Sequence, residues 1–583
     1  MEWNLTDIFK NLEEYEITKK DFLNNLDKIE SFRGKLCDLA ENLYNCYKYY
    51  EKASEQYEKI YAYAMLKYHL DMANQESIKL FKDAESLGTV FSTKTSFISP
   101  EITYADEKII RKYIEKPEFE SYKRDITDIL ELKKHTLSQE AEDILANYQE
   151  VFSAPENTFD ILTNAEFKFG NLIDENGEKV ELTDSNYAIY LRSKNAKVRE
   201  TAFKLMYKKY GEYINTITGL YLANIKTTGI TSKLRNYKSS LDLAVTHDDA
   251  SIKVYDALIE AINENITANY EYLKLKKKIS NLEELHMYDL YLNPFEKEKD
   301  NISYEDAKKE VLNALQVLGA EYTNRLNVAF NNNWIDVMPK QNKMGGGYNM
   351  GVYGVHPYIL LNFINSKRDV STIAHELGHA MHTYYSNKNQ NVINANYTIM
   401  VAEVASTVNE MLLAHYQIEN EENKTKKAEL LYELIEMLRA TFFRQAMFAE
   451  FEKIAHEKVE KGEAISSDEL NNIYYDLNKK YFGTDIVIDK EIQYEWARIP
   501  HFYSDFYVYK YATGISAAIM IATNIIKQGM PYVEKYIEML KQGCSKKSIE
   551  LLKMVDVDLE SKETYINTIN FYKEKVQELK DLI

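Results

Sequence analysis

One short stretch of the sequence has residue types and spacing that could bind a metal ion. Within residues 369–382, the pattern H-E-x-x-H places His375 and His379 four residues apart, with Glu376 directly after the first histidine. On an α-helix, residues i and i+4 lie on the same face, so both imidazoles can approach one ion. Neutral imidazole is a preferred ligand of Zn²⁺. The stretch therefore predicts a helix that binds one Zn²⁺ per chain.

Glu376 has the position that a general base needs in metal-assisted hydrolysis. It lies about 100° around the helix from His375, so it can reach a water molecule beside the ion without replacing it. The surrounding residues favour a helix, since Ser371 or Asp369 can cap its start and the following residues supply an apolar face. We interpret the stretch as the catalytic motif of a zinc-dependent peptidase.

A catalytic zinc usually has three protein ligands, and the sequence offers three candidates for the third. His382 follows on the same helix, but the outer two of three ligands on one straight helix would be about 10 Å apart. Glu403 and Glu410 lie seven residues apart on one face of a second predicted helix, which could return antiparallel to the first. Spacing does not choose between these glutamates. The one that is not a ligand could orient a ligand histidine.

The elements that must position these residues are mostly long amphipathic helices. Apolar residues recur at helical intervals, and the chain of 583 residues contains only 8 prolines and 19 glycines. Two short apolar runs around Asn176 and Gly177 predict a β-hairpin within residues 167–183. The glycine-rich segment near residues 345–347 predicts a loop followed by a short strand. We expect a mainly α fold with an N-terminal region, 1–190, and a catalytic region, 191–583.

Composition limits the partners and the compartment. The net charge of −19 disfavours nucleic acid as a partner, because an acidic surface repels phosphate. The sequence contains no long apolar run and no basic-then-apolar leader at its start, so we expect no association with a membrane. Its three cysteines are too few and too scattered for a disulfide framework. These features together predict a cytoplasmic protein.

Several stretches together resemble a known family. Residues 374–382 and 401–410, supported by residues 3–9, 345–363 and 496–514, are similar to the oligoendopeptidase F group of the thimet oligopeptidase (M3-type) family of zinc metallopeptidases. The resemblance spans nearly the whole chain in the expected order. It implies a two-part helical shell around a deep substrate channel, with a small β-sheet beside the zinc-binding helix.

The same resemblance implies roles for individual residues. It assigns the third zinc ligand to Glu403 and leaves supporting roles for His382 and Glu410. It implies that Tyr511 and His501 stabilise the oxyanion of the reaction. An edge strand near the glycine loop would pair with the substrate backbone, as in other cases of strand addition. The residues that we assign to substrate binding on this basis are Gly346, Gly347, Tyr348, His356, Tyr503, Tyr507 and Tyr509.

These observations predict a metalloendopeptidase. It would hydrolyse internal peptide bonds of short, unstructured oligopeptides, with a zinc-bound water activated by Glu376. Two alternatives remain at this stage. One is a dipeptidyl carboxypeptidase on a similar scaffold, which would need a group that binds the free carboxylate of its substrate. The other is a helical protein that binds peptides or a metal without catalysis.

Overall fold

A computed structural model describes residues 2–295 and 301–583. The structure is 72% helical, which confirms the predicted mainly α fold. The described residues form these α-helices in chain order: α1 (Leu12–Glu30), α2 (Ala40–Leu70), α3 (Gln75–Thr95), α4 (Ile98–Tyr104), α5 (Glu107–Ile114), α6 (Lys123–Leu132), α7 (Gln139–Asn147), α8 (Gln149–Phe152), α9 (Ala154–Asp160), α10 (Asp184–Leu191), α11 (Ala196–Glu212), α12 (Ile214–Leu234), α13 (Ser240–His247), α14 (Ile252–Glu264), α15 (Thr267–Ile279), α16 (Tyr304–Ala314), α17 (Gly319–Asn331), α18 (Lys367–Asn389), α19 (Val392–Ala395), α20 (Ile399–Asn420), α21 (Lys424–Leu438), α22 (Arg444–Glu460), α23 (Ser467–Phe482), α24 (Tyr509–Gln528), α25 (Met530–Leu540), α26 (Ser548–Lys553) and α27 (Lys562–Leu582).

Five short strands accompany these helices in the described residues, together with several short 3₁₀- and π-helical segments. They are β1 (Asn171–Ile173), β2 (Lys179–Glu181), β3 (Ile335–Asp336), β4 (Tyr348–Met350) and β5 (Tyr358–Leu360). No helix in the described part of the chain combines the length and the apolar character needed to cross a membrane.

The chain divides into two compact units, each built from three separate segments. Unit 1 contains Met1–Thr136, Lys299–Gln417 and Ile521–Val557. Unit 2 contains Leu137–Glu298, Ile418–Met520 and Asp558–Ile583. The units interleave along the chain, and neither has an edge at residue 190. The functional division into 1–190 and 191–583 remains a prediction.

In unit 1, the N-terminal helices supply the core on which the sheet rests. Helix α2 packs against both α1 and α3. Apolar side chains from these helices form a cluster that also contains Tyr358 and Leu360 of β5 and Val352 from the preceding loop. Burial of these residues ties the sheet to the N-terminal helices, because the apolar surface that they remove from water favours this arrangement.

The small sheet of unit 1 has the strand order β3-β5-β4. Strand β5 lies in the centre, parallel to β3 and antiparallel to β4, with Asn349 opposite Ile359. Both β4 and β5 pack against α18, which confirms the expectation of a small sheet beside the helix that carries H-E-x-x-H. The sequence predicted only one strand here, because strands of two or three residues are too short to produce a recognisable alternation.

Unit 2 contains the predicted hairpin and a second helical core. Strands β1 and β2 pair antiparallel, and the turn between them contains Gly177 at a φ of 80°, so the hairpin prediction is confirmed. Helix α22 packs against α12, α14 and α23. Its apolar residues Ala446, Phe448 and Phe451 are buried. This places α22 in the interior of unit 2, where polar groups need partners.

Candidate active site

Helix α18 begins earlier than the sequence suggested. Its N-cap is Ser366, whose hydroxyl accepts a hydrogen bond from the Asp369 amide, while the Asp369 carboxylate accepts one from the Ser366 amide. This reciprocal capping satisfies two amides at the helix start. The prediction that Ser371 or Asp369 is the cap is therefore wrong. His375 and His379 lie away from both ends of α18, so the helical backbone fixes their relative positions.

Three side chains in unit 1 present donor atoms to one point. The Nε2 atoms of His375 and His379 are 3.1 Å apart, and Glu403 Oε2 lies 3.4 Å from the first and 3.6 Å from the second. Tetrahedral Zn²⁺ with bonds of about 2.0–2.1 Å needs ligand atoms about 3.3 Å apart. The two nitrogens and the oxygen thus fit three corners of a zinc tetrahedron and leave the fourth open.

Glycine at position 378 allows α20 to approach α18 closely. A Cβ atom on Gly378 would lie 2.5 Å from the Ala405 carbonyl oxygen and 2.5 Å from the Ser406 Cα, closer than atoms can pack. Any side chain here would push the two helices apart. Because Glu403 lies on α20 less than one turn before this contact, the approach sets how near its carboxylate comes to the histidines.

Other groups hold the donor side chains in place. Glu410 Oε2 lies 3.4 Å from His375 Nδ1, and its other oxygen accepts a hydrogen bond from the Ser371 hydroxyl. The Ala402 carbonyl accepts a hydrogen bond from the His379 ring. Such partners fix the tautomer and the orientation of a ligand imidazole. Glu410 therefore has the geometry of a residue that orients a ligand, whereas Glu403 has that of the ligand itself.

Glu376 is the most protected carboxylate at the site. It is 6% exposed, and its Oε2 makes no hydrogen bond to any described residue. Burial, with a contribution from the charges of Glu403 and Glu410, raises the pKa of Glu376 to about 7, although His375 opposes the shift. A carboxylate with this pKa can accept and release a proton near neutral pH.

His382 lies apart from the donor cluster. Its ring stacks on Tyr397 with the centroids 3.7 Å apart, and the side chain is 1% exposed. Burial lowers the pKa of His382 to about 3, so it stays neutral at neutral pH. The possibility that His382 is the third ligand is therefore wrong, because its ring is committed to packing.

Strand β4 runs along α18 beside the donor cluster. A Cβ on Gly347 would lie 3.5 Å from Glu376 Oε1, and one on Gly351 would lie 2.6 Å from the Thr383 side chain. The backbone of β4 thus follows the helix across two turns. The outer edge of β4 pairs with no strand among the described residues, since β5 lies on its other side. This edge remains available to an extended chain.

The glycine loop before β4 is held by side chains of the sheet. The Asn362 side-chain amide donates hydrogen bonds to the carbonyls of Met344 and Gly346, and Gly346 has a φ of 80°. Tyr348 donates or accepts a hydrogen bond with His69 Nδ1 at 2.8 Å. These contacts fix the loop and point the Tyr348 side chain away from α18.

His356 has a structural environment. Its ring stacks on Trp334 at 4.6 Å, and its two nitrogens lie 2.8 Å from the Pro357 carbonyl oxygen and 3.1 Å from Asp7 Oδ2. Both polar atoms are therefore engaged within the protein. This argues against the predicted substrate contact, because neither nitrogen remains to bind a peptide.

In unit 2, three of the predicted residues form a polar aromatic cluster. The Tyr511 hydroxyl lies 3.2 Å from His501 Nε2, and the Tyr507 ring packs against both side chains at 5.5–5.9 Å. Burial, assisted by the charge of Arg444, lowers the pKa of His501. The neutral imidazole and the phenol can both donate hydrogen bonds, as the oxyanion role predicted for Tyr511 and His501 requires.

The other two tyrosines of this segment face the interior of unit 2. Tyr509 is 0% exposed and donates a hydrogen bond to Asp248 at 2.8 Å. The prediction that Tyr509 binds substrate is therefore wrong, because it has no surface to offer. Tyr503 is 7% exposed and stacks on Phe159 at 4.6 Å. The predicted contact between Tyr503 and substrate stays a prediction. The small exposed area of this residue leaves little room for such a contact.

Comparison with protein families and with curated relatives tests the peptidase interpretation independently of this geometry. The family model "Peptidase family M3" matches residues 189–571, and the model "Oligopeptidase F" matches residues 101–169. The chain is 39% identical over 586 residues to Oligopeptidase PepF of Bacillus subtilis (strain 168), covering 100% of this chain and 87% of the relative. It is also 39% identical over 590 residues to an oligoendopeptidase F homolog of Borreliella burgdorferi, covering 100% and 98%.

The chain belongs to peptidase family M3.

Solved structures agree with this assignment. The crystal structure of oligoendopeptidase-F from Enterococcus faecium matches with a TM-score of 0.74 and 31% identity, over 98% of this chain and 99% of that one. A candidate peptidase from Chlamydophila abortus matches with a TM-score of 0.93 and 31% identity, over 100% and 98%. As a member of family M3, the protein is a metallo-oligopeptidase. The resemblance to oligoendopeptidase F is confirmed.

Sequence reasoning missed one residue that supports the M3 site. The Asn409 side chain donates a hydrogen bond to the Ala374 carbonyl at 3.0 Å and accepts one from Tyr322 at 3.1 Å. It therefore ties α20 to α18 directly before His375. A completely buried asparagine on an otherwise apolar face is the signal that could have indicated it, because such a group needs partners.

We predict that Gly378→Ala separates α18 from α20 and weakens metal binding. The added methyl would overlap the α20 backbone, and such overpacking costs about 1–3 kcal/mol. Zinc affinity should fall because Glu403 moves away from the histidines. Zinc titration by calorimetry and thermal unfolding would measure both effects.

The matched control is Gly219→Ala, on the exposed face of α12. No atom lies within 4 Å of a Cβ built there, so this change should leave zinc binding unaltered and stabilise the helix by up to about 1 kcal/mol. Equal zinc affinity in both variants would contradict the role of the helix contact.

We predict that Glu403→Ala and Glu410→Ala weaken zinc binding to different extents. Loss of an orienting partner such as Glu410 typically costs about 10–100-fold in metal affinity. Loss of Glu403 removes a ligand and should cost more. Affinities measured by competition with a chromogenic chelator would rank the two variants. A greater loss for Glu410→Ala would reverse the two assignments.

Proposed function

We propose that this protein is a zinc-dependent endopeptidase that hydrolyses internal bonds of short, unstructured oligopeptides. The observation that carries the proposal is the convergence of His375, His379 and Glu403 on one point, with the buried carboxylate of Glu376 beside it. The edge strand β4 supports it, because Gly347 lies next to Glu376. The names of the relatives, which are oligopeptidases and oligoendopeptidases, agree with this substrate class.

The substrate backbone adds as a strand to the outer edge of β4. Main-chain hydrogen bonds would bind the peptide with little dependence on its side chains. Residues 347, 349 and 351 turn toward α18, so the paired peptide would run along this helix past Glu376. Only an extended chain can form such bonds, and a folded protein has few extended segments to offer. This favours oligopeptides as substrates.

A cavity at the end of β4 provides room for a substrate side chain. Its volume is about 550 Å³, and its lining includes Gly351, Thr383 and Tyr397 near α18 and several tyrosines of α2. Glu58 also lines this cavity, and burial raises its pKa to about 7. The tyrosines combine apolar rings with hydroxyl groups, which suits a pocket that accepts side chains of several kinds.

His375, His379 and Glu403 would hold the zinc. Zn²⁺ at such a site acidifies a bound water and polarises a carbonyl. Glu376 takes the proton from the attacking water and returns it to the leaving amine. Its burial suits this exchange, because the protonated and ionised forms of the carboxyl are close in free energy. No covalent intermediate with the protein is required.

Tyr511 and His501 stabilise the negative charge that develops on the scissile carbonyl oxygen. The Tyr511 hydroxyl lies 3.2 Å from His501 Nε2, and this contact holds the two side chains together before substrate arrives. One of them donates to the other in this contact, so the substrate oxygen would take the place of the acceptor. Preorganised donors of this kind act mainly in the transition state, where the charge is largest. This assignment derives from the family resemblance and from the polar cluster that these residues form in unit 2.

We predict that Glu376→Gln keeps the bound zinc and loses about 100-fold to 10,000-fold in hydrolysis, because the amide cannot accept the proton. Turnover would be measured on an internally quenched peptide with an amidated C-terminus, which a carboxypeptidase that needs a free carboxylate would not cut. Zinc content would be measured on the same samples.

The control for this experiment is Glu419→Gln, on an exposed part of α20, which should retain full activity. Unchanged turnover of Glu376→Gln would remove Glu376 from the mechanism. Failure of the native protein to cut the amidated peptide would exclude the endopeptidase.

We predict that Tyr511→Phe lowers kcat by about 100-fold to 1,000-fold and changes KM little, since an oxyanion donor acts in the transition state. Steady-state kinetics on the same peptide would separate the two constants.

Tyr509→Phe is the matched control from the same segment. It removes a buried hydrogen bond to Asp248, so it should lower the melting temperature and leave kcat near the native value. An increase in KM alone for Tyr511→Phe would make Tyr511 a substrate-binding residue instead.

A further inference from the structure

Unit 2 contains a second group of metal-binding side chain types, separate in the chain from the H-E-x-x-H site. Glu452 and His456 lie four residues apart on α22, and Asp505 lies in the segment just before α24. One ligand atom of each of these three residues lies within 4.8 Å of the other two. His456 Nε2 is 3.4 Å from Asp505 Oδ1, close to the separation of about 3.3 Å between neighbouring ligands of a zinc ion.

Two side chains of the group are buried inside the unit, and the third, Asp505, is 10% exposed. Glu452 is 0% and His456 is 1% exposed. The Phe506 ring packs over the His456 ring with the centroids 4.4 Å apart. Phe506 has a φ of 57°, an uncommon conformation for a bulky residue, and its amide donates a hydrogen bond to Glu452 Oε1 at 2.6 Å. This uncommon backbone conformation occurs at the residue whose ring packs against His456.

Several polar atoms of the group have no hydrogen-bond partner among the described residues. Glu452 Oε2 and both ring nitrogens of His456 make no hydrogen bond to any described residue, although all three atoms are buried. Buried polar atoms normally have partners, and each exception calls for a physical explanation. An ion placed between Oε2, one imidazole nitrogen and Asp505 would give Oε2 and that nitrogen a partner, and it would not reach the second ring nitrogen.

The charges of the group also need compensation. Glu452 and Asp505 bring two carboxylates close together, and two ionised carboxylates at such a distance repel each other. Asn224 and Thr228 donate hydrogen bonds to Asp505 but carry no charge. The nearby Lys510 ammonium lies 2.7 Å from Asp248 Oδ1 and forms an ion pair there. A bound cation would balance the second negative charge, as would a proton on one of the carboxyls or on the His456 ring.

We propose that Glu452, His456 and Asp505 form a second, structural binding site for a divalent metal ion of the zinc class. The imidazole favours zinc over magnesium or calcium, and the two carboxylates supply oxygen ligands that zinc also accepts. The site would join α22 to the segment before α24. Asp505, its ligand in that segment, lies four residues after His501. It therefore fixes the part of unit 2 that carries His501 and Tyr511. The proposal does not depend on the proposed peptidase function.

Metal content gives the first test. Protein purified from zinc-supplemented cultures would be analysed by plasma mass spectrometry. We expect about two zinc ions per native chain, one in His375→Ala/His379→Ala, one in His456→Ala, and none in the triple variant. One zinc in the native chain and none in His375→Ala/His379→Ala would overturn the proposal, provided that circular dichroism shows both proteins folded.

A second test uses an isosteric change, because His456→Ala leaves a cavity that could unfold the chain. Glu452→Gln would be introduced into His375→Ala/His379→Ala, which lacks the first site, and thermal unfolding would be followed with Zn²⁺ and with EDTA. Zinc should raise the melting temperature of the parent but not of the Glu452→Gln protein.

A different result is expected in the same unfolding experiment if the group binds no metal ion. If Glu452 only shares a proton with its neighbours, glutamine replaces the protonated carboxyl, and zinc shifts neither melting temperature. That result would overturn the metal site. Peptide hydrolysis by the native protein tests the proposed peptidase function separately.

Discussion

The contact between α18 and α20 at Gly378 is the constraint on which the site depends. Three donor atoms can bind one small ion only if they lie about 3.3 Å apart, and two of them come from one helix while the third comes from the other. A glycine facing the Ala405 carbonyl lets the backbones approach closely enough. The Asn409 hydrogen bond to Ala374 acts at the same contact. The Gly378 contact and this hydrogen bond both act on the distance between α18 and α20.

The glutamates of the site have the same chemistry but different environments, and the environments separate their roles. Glu376 is 6% exposed, whereas the Glu403 side chain is 52% exposed. Burial raises the pKa of Glu376 toward neutrality, which suits a group that moves protons. Glu403 stays in contact with water and needs a negative charge to bind a cation. Glu410, bonded to Ser371 and next to His375, has instead the position of a residue that would orient its neighbour.

Local patterns were predictable from the sequence, and tertiary partners were not. The spacing of His375 and His379 fixes their geometry once a helix forms, and the hairpin around Gly177 needs only its turn. The cap at Ser366 was missed because Asp369 and Ser371 are equally good capping types. Among the tyrosines between residues 503 and 511, only packing decides that Tyr509 turns inward to Asp248 and that Tyr511 contacts His501. Side chains of one type give no pattern that distinguishes them.

The two metal-ligand clusters show how burial decides what a set of ligands can do. His375, His379 and Glu403 are each partly exposed, so a water molecule and a substrate can reach an ion that they hold. Glu452 and His456 lie under the Phe506 ring, and no substrate could approach them. Under the two proposals, the open set would serve catalysis, whereas the second set, which is buried except for Asp505, would stabilise the fold. A sealed ligand set acquires its ion as the chain folds, so its binding energy becomes folding energy.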